Sequence, residues 1–274
     1  MGSVIVAVAG PVASVTLSNP GKLNAMSRVM WRELRAAFES LAVNSALRCV
    51  VIAGEDCGEG RGDGKGEGGH FSAGGDISEY AAFRFIEASL KEFHEGDVWG
   101  ALLAMLDCDL PIIAQIEGNC MGAGLEIASC CDMRLAAVSA RFGAPIAKLG
   151  FPMAPREAAL VMRAVGELTA REMLLTAAVL DAQEMRQRGF LNRVVPAADI
   201  GQVTQSIVER ITQLAPAAAR LNKQSFRALR QHTYGPDAME SVANLALNVY
   251  HYADTAEHRE GIAAFTEKRP PQFL

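Results

Sequence analysis

In the stretch Gly118–Asp132, GNCMGAGLEIASCCD, a single glutamate, Glu126, stands among Gly122, Ala123, Gly124, Leu125, Ile127, Ala128, Cys130 and Cys131, with Ser129 beside it. A segment of that composition is expected to be buried. Holding an ionised carboxylate in a dry site costs several kcal/mol unless it is paired, so burial raises the carboxyl pKa toward the range where proton exchange is useful. That is the requirement for a general acid or base. The helix N-terminus one turn earlier works in the opposite direction, because it favours the anion. The other reading of Glu126 is a structural glutamate held by an arginine or by backbone donors.

Two stretches share a second device. HFSAGGDISEY at 70–80 and GNCMGAGLEI at 118–127 each pass from a strand-like run through small residues into a helical pattern. Glycine permits the tight backbone path. The first N–H groups of a helix have no internal acceptor and favour negative charge. If two such clusters converged on one oxygen they would form an oxyanion hole, in which a single donor is worth roughly 3–4 kcal/mol to a transition state. Spacing alone leaves two ordinary strand-to-helix turns as the alternative. A dinucleotide site finds little support: after Gly122-x-Gly124 the third fingerprint position falls on Ile127, and ARFGAPI stands where the acidic residue should end a strand.

Other chemistries find less support. The segment GEDCGEGRGDGKGEGGH between Gly54 and His70 lacks calcium-loop spacing; its Gly64-Lys65 is followed by Gly66, and the first P-loop glycine would fall on Glu59. It reads as a mobile surface loop. Six cysteines, at 49, 57, 108, 120, 130 and 131, form no CxxC pair, so reduced thiols are expected and neither a metal site nor a disulfide framework. A net charge of −5 argues against a nucleic-acid partner but leaves room for a local basic pocket for a small anion.

These residues need a scaffold to position them. With 274 residues, half of them hydrophobic, the chain can bury an ordinary core in one large domain or two smaller ones. Apolar runs such as Val4–Ala9 are far short of the roughly 20 residues a membrane span needs, and no basic segment precedes them as in a signal peptide, so cytoplasmic residence without a membrane partner is expected. Val4–Ala9 and Val12–Leu17, split by Gly10-Pro11, read as strands, and Ser27 can cap a helix carrying Leu34, Phe38 and Leu41. Arg48–Ala53 and Ile112–Ile116 read as buried strands and Gly122–Cys131 as a helix. The alternation predicts an α/β architecture. After Pro145 helical patterns dominate, with Phe190–Val195 the strand-like exception. Pro196 divides an α/β core over 1–195 from a helical region over 196–274, with helices expected near 200–214, 217–232, 237–252 and 255–267.

The chain resembles the crotonase (enoyl-CoA hydratase/isomerase) superfamily along nearly its whole length. NPGKLNAM at 19–26, FSAGGDI at 71–77, GNCMGAGLEIASCCDMRLAAVSARFGAP at 118–145 and EHREGIAAFTEKRPPQF near the C-terminus carry the resemblance, in the family's order. It implies a crotonase-like spiral of ββα repeats with a C-terminal helical region, assembling as a homotrimer or a dimer of trimers. It also implies an acyl-CoA thioester substrate, with coenzyme A entering as part of the substrate and no further cofactor. The two backbone donors for the thioester oxygen are implied at Ala73 and Ala123. Coenzyme A contacts are implied at Lys22, Leu23 and Ala25, at Ala73, Gly74, Gly75, Asp76 and Ile77, and at Phe265 and Lys268; Asp76 doubles as a helix N-cap.

By the same resemblance Glu126 matches the first of two glutamates used by hydratases, while Ile146 stands where the second belongs. Isoleucine can neither orient water nor donate a proton. Glu157 is the candidate replacement, against the reading of an exposed first-turn glutamate stabilised by the helix dipole. His70 and Tyr80 are further polar residues near the first glycine stretch. The expected activity is acyl-CoA processing of the hydratase/isomerase type, with Glu126 as acid or base on a thioester enolate. Isomerisation, hydrolysis or decarboxylation fit a single carboxylate as well, and a CoA-thioester-binding protein without turnover is the alternative outside enzymology.

Overall fold

Alternating apolar positions build the first layer. β1 (Ser3–Ala9) pairs antiparallel with β2 (Val12–Ser18) around the turn at Gly10-Pro11, in the register Val4↔Leu17 and Val6↔Val15. The computed structural model describes residues 2–56, 69–231 and 255–273. Most of the expected loop between Gly54 and His70, and all of the expected helix at 237–252, lie outside the described residues.

From β2 onward the large sheet is parallel. β3 (Cys49–Gly54), β4 (Ile112–Ile116), β6 (Met133–Ala137) and β9 (Arg193–Val195) follow in the order β1-β2-β3-β4-β6-β9. A small second sheet, β5 (Asn119–Met121), β7 (Arg141–Gly143) and β8 (Val179–Asp181), stands beside it. β5, β6, β7 and β8 were not expected; β5, β7 and β8 have three residues each, too few to display the two-residue period. The expected strand at Phe190–Val195 begins only at Arg193, since the Phe190 N–H is held by Met185 O at 2.9 Å.

Helices cover both faces. α1 (Arg28–Ala42) starts as the sequence predicts, with Ser27 Oγ accepting the Met30 N–H at 3.2 Å, and its stripe Met30, Trp31, Leu34, Phe38 and Leu41 is buried. α2 (Glu87–Glu92) runs through a π-helical turn, Phe93–Val98, directly into α3 (Trp99–Asp107). Then come α4 (Ala123–Cys130), α5 (Pro155–Val165), α6 (Glu167–Thr176) and α7 (Ala182–Gln187). The C-terminal region contributes α8 (Ile200–Thr212), α9 (Pro216–Gln231) and α10 (Ala256–Glu267).

The main core is formed around Trp31, Phe38, Phe71, Phe142 and Phe190. Successive residues of a strand face opposite sides, so Ile112 and Ala114 join that core while Ile113 points to the other face. There it packs with Cys49, Leu135 and Val208 of α8. Thus α8, although beyond Pro196, shares a core with the sheet. α9 is tied down by Lys223, whose Nζ lies 2.8 Å from Asp132 and donates to Leu110 O at 2.7 Å. Among the described residues no helix is long and apolar enough to cross a membrane.

Candidate active site

The two glycine-rich stretches lie side by side. Ser72 N–H donates to Asn119 O at 2.8 Å and Met121 N–H donates to Ser72 O at 2.9 Å, which zips the loop at 71–76 onto β5. His70 supports the same junction: its Nδ1 accepts the Asn119 N–H at 3.0 Å. It is a half-buried structural group outside the cavity described below. At the end of β5 the chain turns through Gly122, whose φ of +44° strongly favours glycine, and α4 begins at Ala123.

The backbone of this loop corrects one sequence-based assignment. Ala73 N–H donates to Leu23 O at 2.9 Å, so it is committed within the scaffold and is not a free oxyanion donor. On either side of Gly75 the loop bridges to Met26, with Met26 N–H to Gly74 O at 2.7 Å and Asp76 N–H to Met26 O at 2.9 Å. Successive amides of an extended chain point to opposite sides. The Gly75 N–H therefore faces away from Met26. Among the described residues neither Gly75 N–H nor Ala123 N–H has an acceptor, and both residues line the same cavity. The pair of available donors is Gly75 and Ala123.

That cavity, about 380 Å³, is walled by the two glycine stretches, the π-helical turn and the start of α5. Glu126 projects into it, buried, and no hydrogen bond or ion pair holds its carboxyl among the described residues. The structural-glutamate reading is therefore unsupported. Burial pushes the Glu126 carboxyl well above its ordinary range, the Glu157 charge pushes it further, and the Arg84 guanidinium opposes both.

Glu157 is the second carboxylate. It sits in the first turn of α5, after Pro155 at the helix start, but it is 3 % exposed rather than facing solvent. His94 Nδ1 lies 2.8 Å from Glu157 Oε1. The π-helical turn places His94 there, together with the buried Phe93 and Val98; such turns widen the helix by one residue and recur at functional sites. Neither His94 nor the burial of Glu157 is legible from the sequence. Ile146 also lines the cavity, as an apolar wall where a family hydratase was expected to carry its second glutamate.

Tyr80 and Arg84 complete the polar lining. The Tyr80 hydroxyl lies against Gly75, where an added Cβ would collide with it. Burial raises its pKa, Arg84 counteracts, and the Glu126 charge raises it further. Arg84 packs against both Tyr80 and Phe151, with its guanidinium carbon 3.9 Å from each ring centroid. The remaining walls are mostly apolar, among them Phe93, Val98, Met121, Ile146, Phe151 and Met153.

The expected coenzyme A residues separate into two groups. Ala73, Gly74, Gly75 and Ile77 line the cavity, and Ile77 is half exposed. Lys22, Leu23 and Ala25 form the turn hydrogen-bonded to that loop, with left-handed φ at Leu23 (+48°) and Asn24 (+57°). Lys22 Nζ is 2.6 Å from Asp76 and 2.8 Å from Ser78 Oγ. Burial would raise the Asp76 carboxyl, but Lys22 and Ser78 outweigh it and hold the group below its ordinary value. Asp76 caps as expected, although the element it caps is a 3₁₀ turn, Ile77–Ala82. Phe265 and Lys268 lie on α10 and at its C-cap, outside the cavity lining, and Phe265 is 86 % exposed rather than packed in the core. Among the described residues no cluster of His, Cys, Asp or Glu is arranged to hold a metal ion.

Comparison with known proteins was made on the whole chain. The family model described as enoyl-CoA hydratase/isomerase matches residues 8–274. A protein named "probable enoyl-CoA hydratase" from Mycobacterium bovis is 32% identical over 267 residues, covering 96% of this chain and 94% of that one. Another of the same description from Rhizobium meliloti is 28% identical, covering 99% and 97%. Among solved structures, an enoyl-CoA hydratase/carnithine racemase from Magnetospirillum magneticum aligns with a TM-score of 0.86 at 33% identity, over 100% of this chain and 96% of that chain.

Proposed function

The chain belongs to the enoyl-CoA hydratase/isomerase family and is an acyl-CoA-processing enzyme of that type, and we propose that it adds water reversibly to a 2-enoyl-CoA with Glu126 and Glu157 as its proton-transfer pair. The observation that carries this reading is the buried Glu157. It enters the Glu126 cavity from α5 and is close enough to bias the Glu126 proton. The carboxylate missing at position 146 is thereby supplied from another element.

The assignment of roles follows from electrostatics. Glu126, whose carboxyl holds its proton above the ordinary range, gives that proton to Cα. Glu157, oriented by His94, takes a proton from the water whose oxygen bonds to Cβ. The negative charge that develops on the thioester oxygen is met by the Gly75 and Ala123 N–H groups, which are fixed beforehand and need no reorganisation. Water contributes one hydroxyl and one proton in total, and the two carboxyl groups exchange protonation states until solvent resets them.

The apolar walls suit an acyl chain, and Lys22, Leu23, Ala25, Asp76, Ile77, Phe265 and Lys268 remain the proposed contacts of the coenzyme A portion. The exposed apolar side chains Phe226, Leu229, Ile262 and Phe265 of the C-terminal helices support a homotrimer or dimer of trimers, in which a neighbouring subunit covers them. Cytoplasmic residence accords with the reduced, buried thiols. Turnover of a 2-enoyl-CoA in ¹⁸O-labelled water, read by mass spectrometry, tests the reaction. A 3-hydroxyacyl-CoA carrying one labelled oxygen is expected. A product of unchanged oxygen content that acquires deuterium from D₂O overturns hydration in favour of isomerisation, the reading that the apolar Ile146 favours.

A further inference from the structure

Arg84 is a cation that the proton-transfer scheme does not use. It lines the cavity, yet among the described residues no carboxylate lies at ion-pair distance from it. Of the two nearby glutamates, Glu157 is engaged by His94 at 2.8 Å, and Glu126 feels the guanidinium charge without pairing to it. The Arg84 Nε is buried with no hydrogen-bond partner. The guanidinium does interact with the Tyr80 hydroxyl, but that is a neutral group and leaves the charge uncompensated. Lys148 also lines the cavity, but it is exposed and water solvates it.

The aromatic contacts hold Arg84 in place. The Tyr80 and Phe151 ring centroids each lie 3.9 Å from the guanidinium carbon but only 6.1 Å from one another, with the rings inclined by 68°, so they flank the group on adjacent sides; Phe83 and Phe93 belong to the same aromatic cluster. Held in place by these rings, the guanidinium offers a planar fork of N–H donors matched to a carboxylate. A plain alkyl chain filling the cavity would displace water and leave that edge unpaired in a dry site, which is unfavourable. An acyl chain bearing its own carboxylate would satisfy both.

We propose that Arg84, packed against Tyr80 and Phe151, receives a carboxylate on the acyl group, so that the preferred substrates are CoA thioesters of dicarboxylic acids. The proposal rests on the acyl-CoA reading of the cavity, but not on which reaction follows. Its test is therefore a binding measurement with saturated thioesters that cannot be hydrated. Calorimetric affinities are compared for succinyl-, glutaryl- and adipyl-CoA against butyryl-, valeryl- and hexanoyl-CoA of matching chain length, on the wild type and on Arg84→Met.

A charge-assisted pair in a dry site predicts a preference of roughly tenfold or more for at least one dicarboxylic thioester over its alkyl counterpart. Arg84→Met should bring that ratio to about one, and Arg84→Lys, lacking the planar fork, should restore only part of it. Because each ratio is taken within one protein, a general loss of folding does not imitate the result. Equal or better binding of the alkyl thioesters by the wild type overturns the proposal, as does a preference unchanged in Arg84→Met. Tight binding of neither series would instead refute the acyl-CoA reading, and turnover of a dicarboxylic 2-enoyl-CoA is assessed separately.

Discussion

Replacing Glu157 by glutamine removes the proposed base while keeping its shape. The amide oxygen can still accept from His94 Nδ1, so the 2.8 Å contact survives in weakened form and the stability loss should be about 1 kcal/mol. The catalytic loss should be much larger: a positioned acid–base group contributes roughly 10²–10⁴-fold, or about 3–5 kcal/mol of barrier. The assay is steady-state hydration of a 2-enoyl-CoA, followed by loss of the enoyl thioester absorbance, with melting curves and thioester affinity measured in parallel. A second signature separates catalysis from scaffolding. Glu126 acts in its protonated form, so activity falls as pH rises through its pKa, and that pKa is raised partly by the Glu157 charge. In Glu157→Gln this descending limb should move to lower pH. A turnover within about threefold of wild type, with the limb unmoved, would refute the reasoning.

The same buried proton links Glu126 to stability. Above the ordinary carboxylate pKa of about 4.3 the native state retains a proton that the unfolded chain releases, so wild-type stability falls with rising pH until the native pKa is passed. Glu126→Gln carries no such proton, so its melting temperature relative to wild type should climb across that window; a pH-independent difference would contradict the assigned shift. Gly75→Ala should lower turnover because its Cβ meets the Tyr80 hydroxyl beside the oxyanion donor, and Tyr80→Phe in the same chain should recover part of the loss; absence of any recovery would contradict the geometry. Burial raises the thiol of Cys49 to about 11 and that of Cys131 to about 12. Neither should therefore be alkylated by iodoacetamide in the native protein at neutral pH, as read by peptide mass spectrometry.

Much of this architecture was legible because its signals are local. The Ser27 cap, the apolar stripe of α1 and the strand runs at 49–54 and 112–116 each announce themselves within a few residues. Glu126 was legible for a different reason, since one carboxylate in an apolar helix contradicts its surroundings. The oxyanion donors were read only in part. Which amide of the loop is available depends on its bridge to Met26, and that pairing is a tertiary fact that leaves Ala73 engaged and Gly75 available. Glu157 has the sequence signature of an ordinary first-turn glutamate, and its burial comes from how α5 packs against the π-helical turn carrying His94. Arg84 carried no signal at all, because it is placed by contacts with both Tyr80 and a phenylalanine far along the chain.

The central claim is that the buried, unpaired carboxyl of Glu126 transfers a proton to or from a thioester enolate held by Gly75 and Ala123. The most direct measurement is single-turnover kinetics of Glu126→Gln on a 2-enoyl-CoA, alongside calorimetric binding of a saturated thioester. The account predicts a loss of roughly 10²–10⁴-fold in the chemical step with affinity kept within about threefold. A chemical step close to the wild-type rate would contradict it.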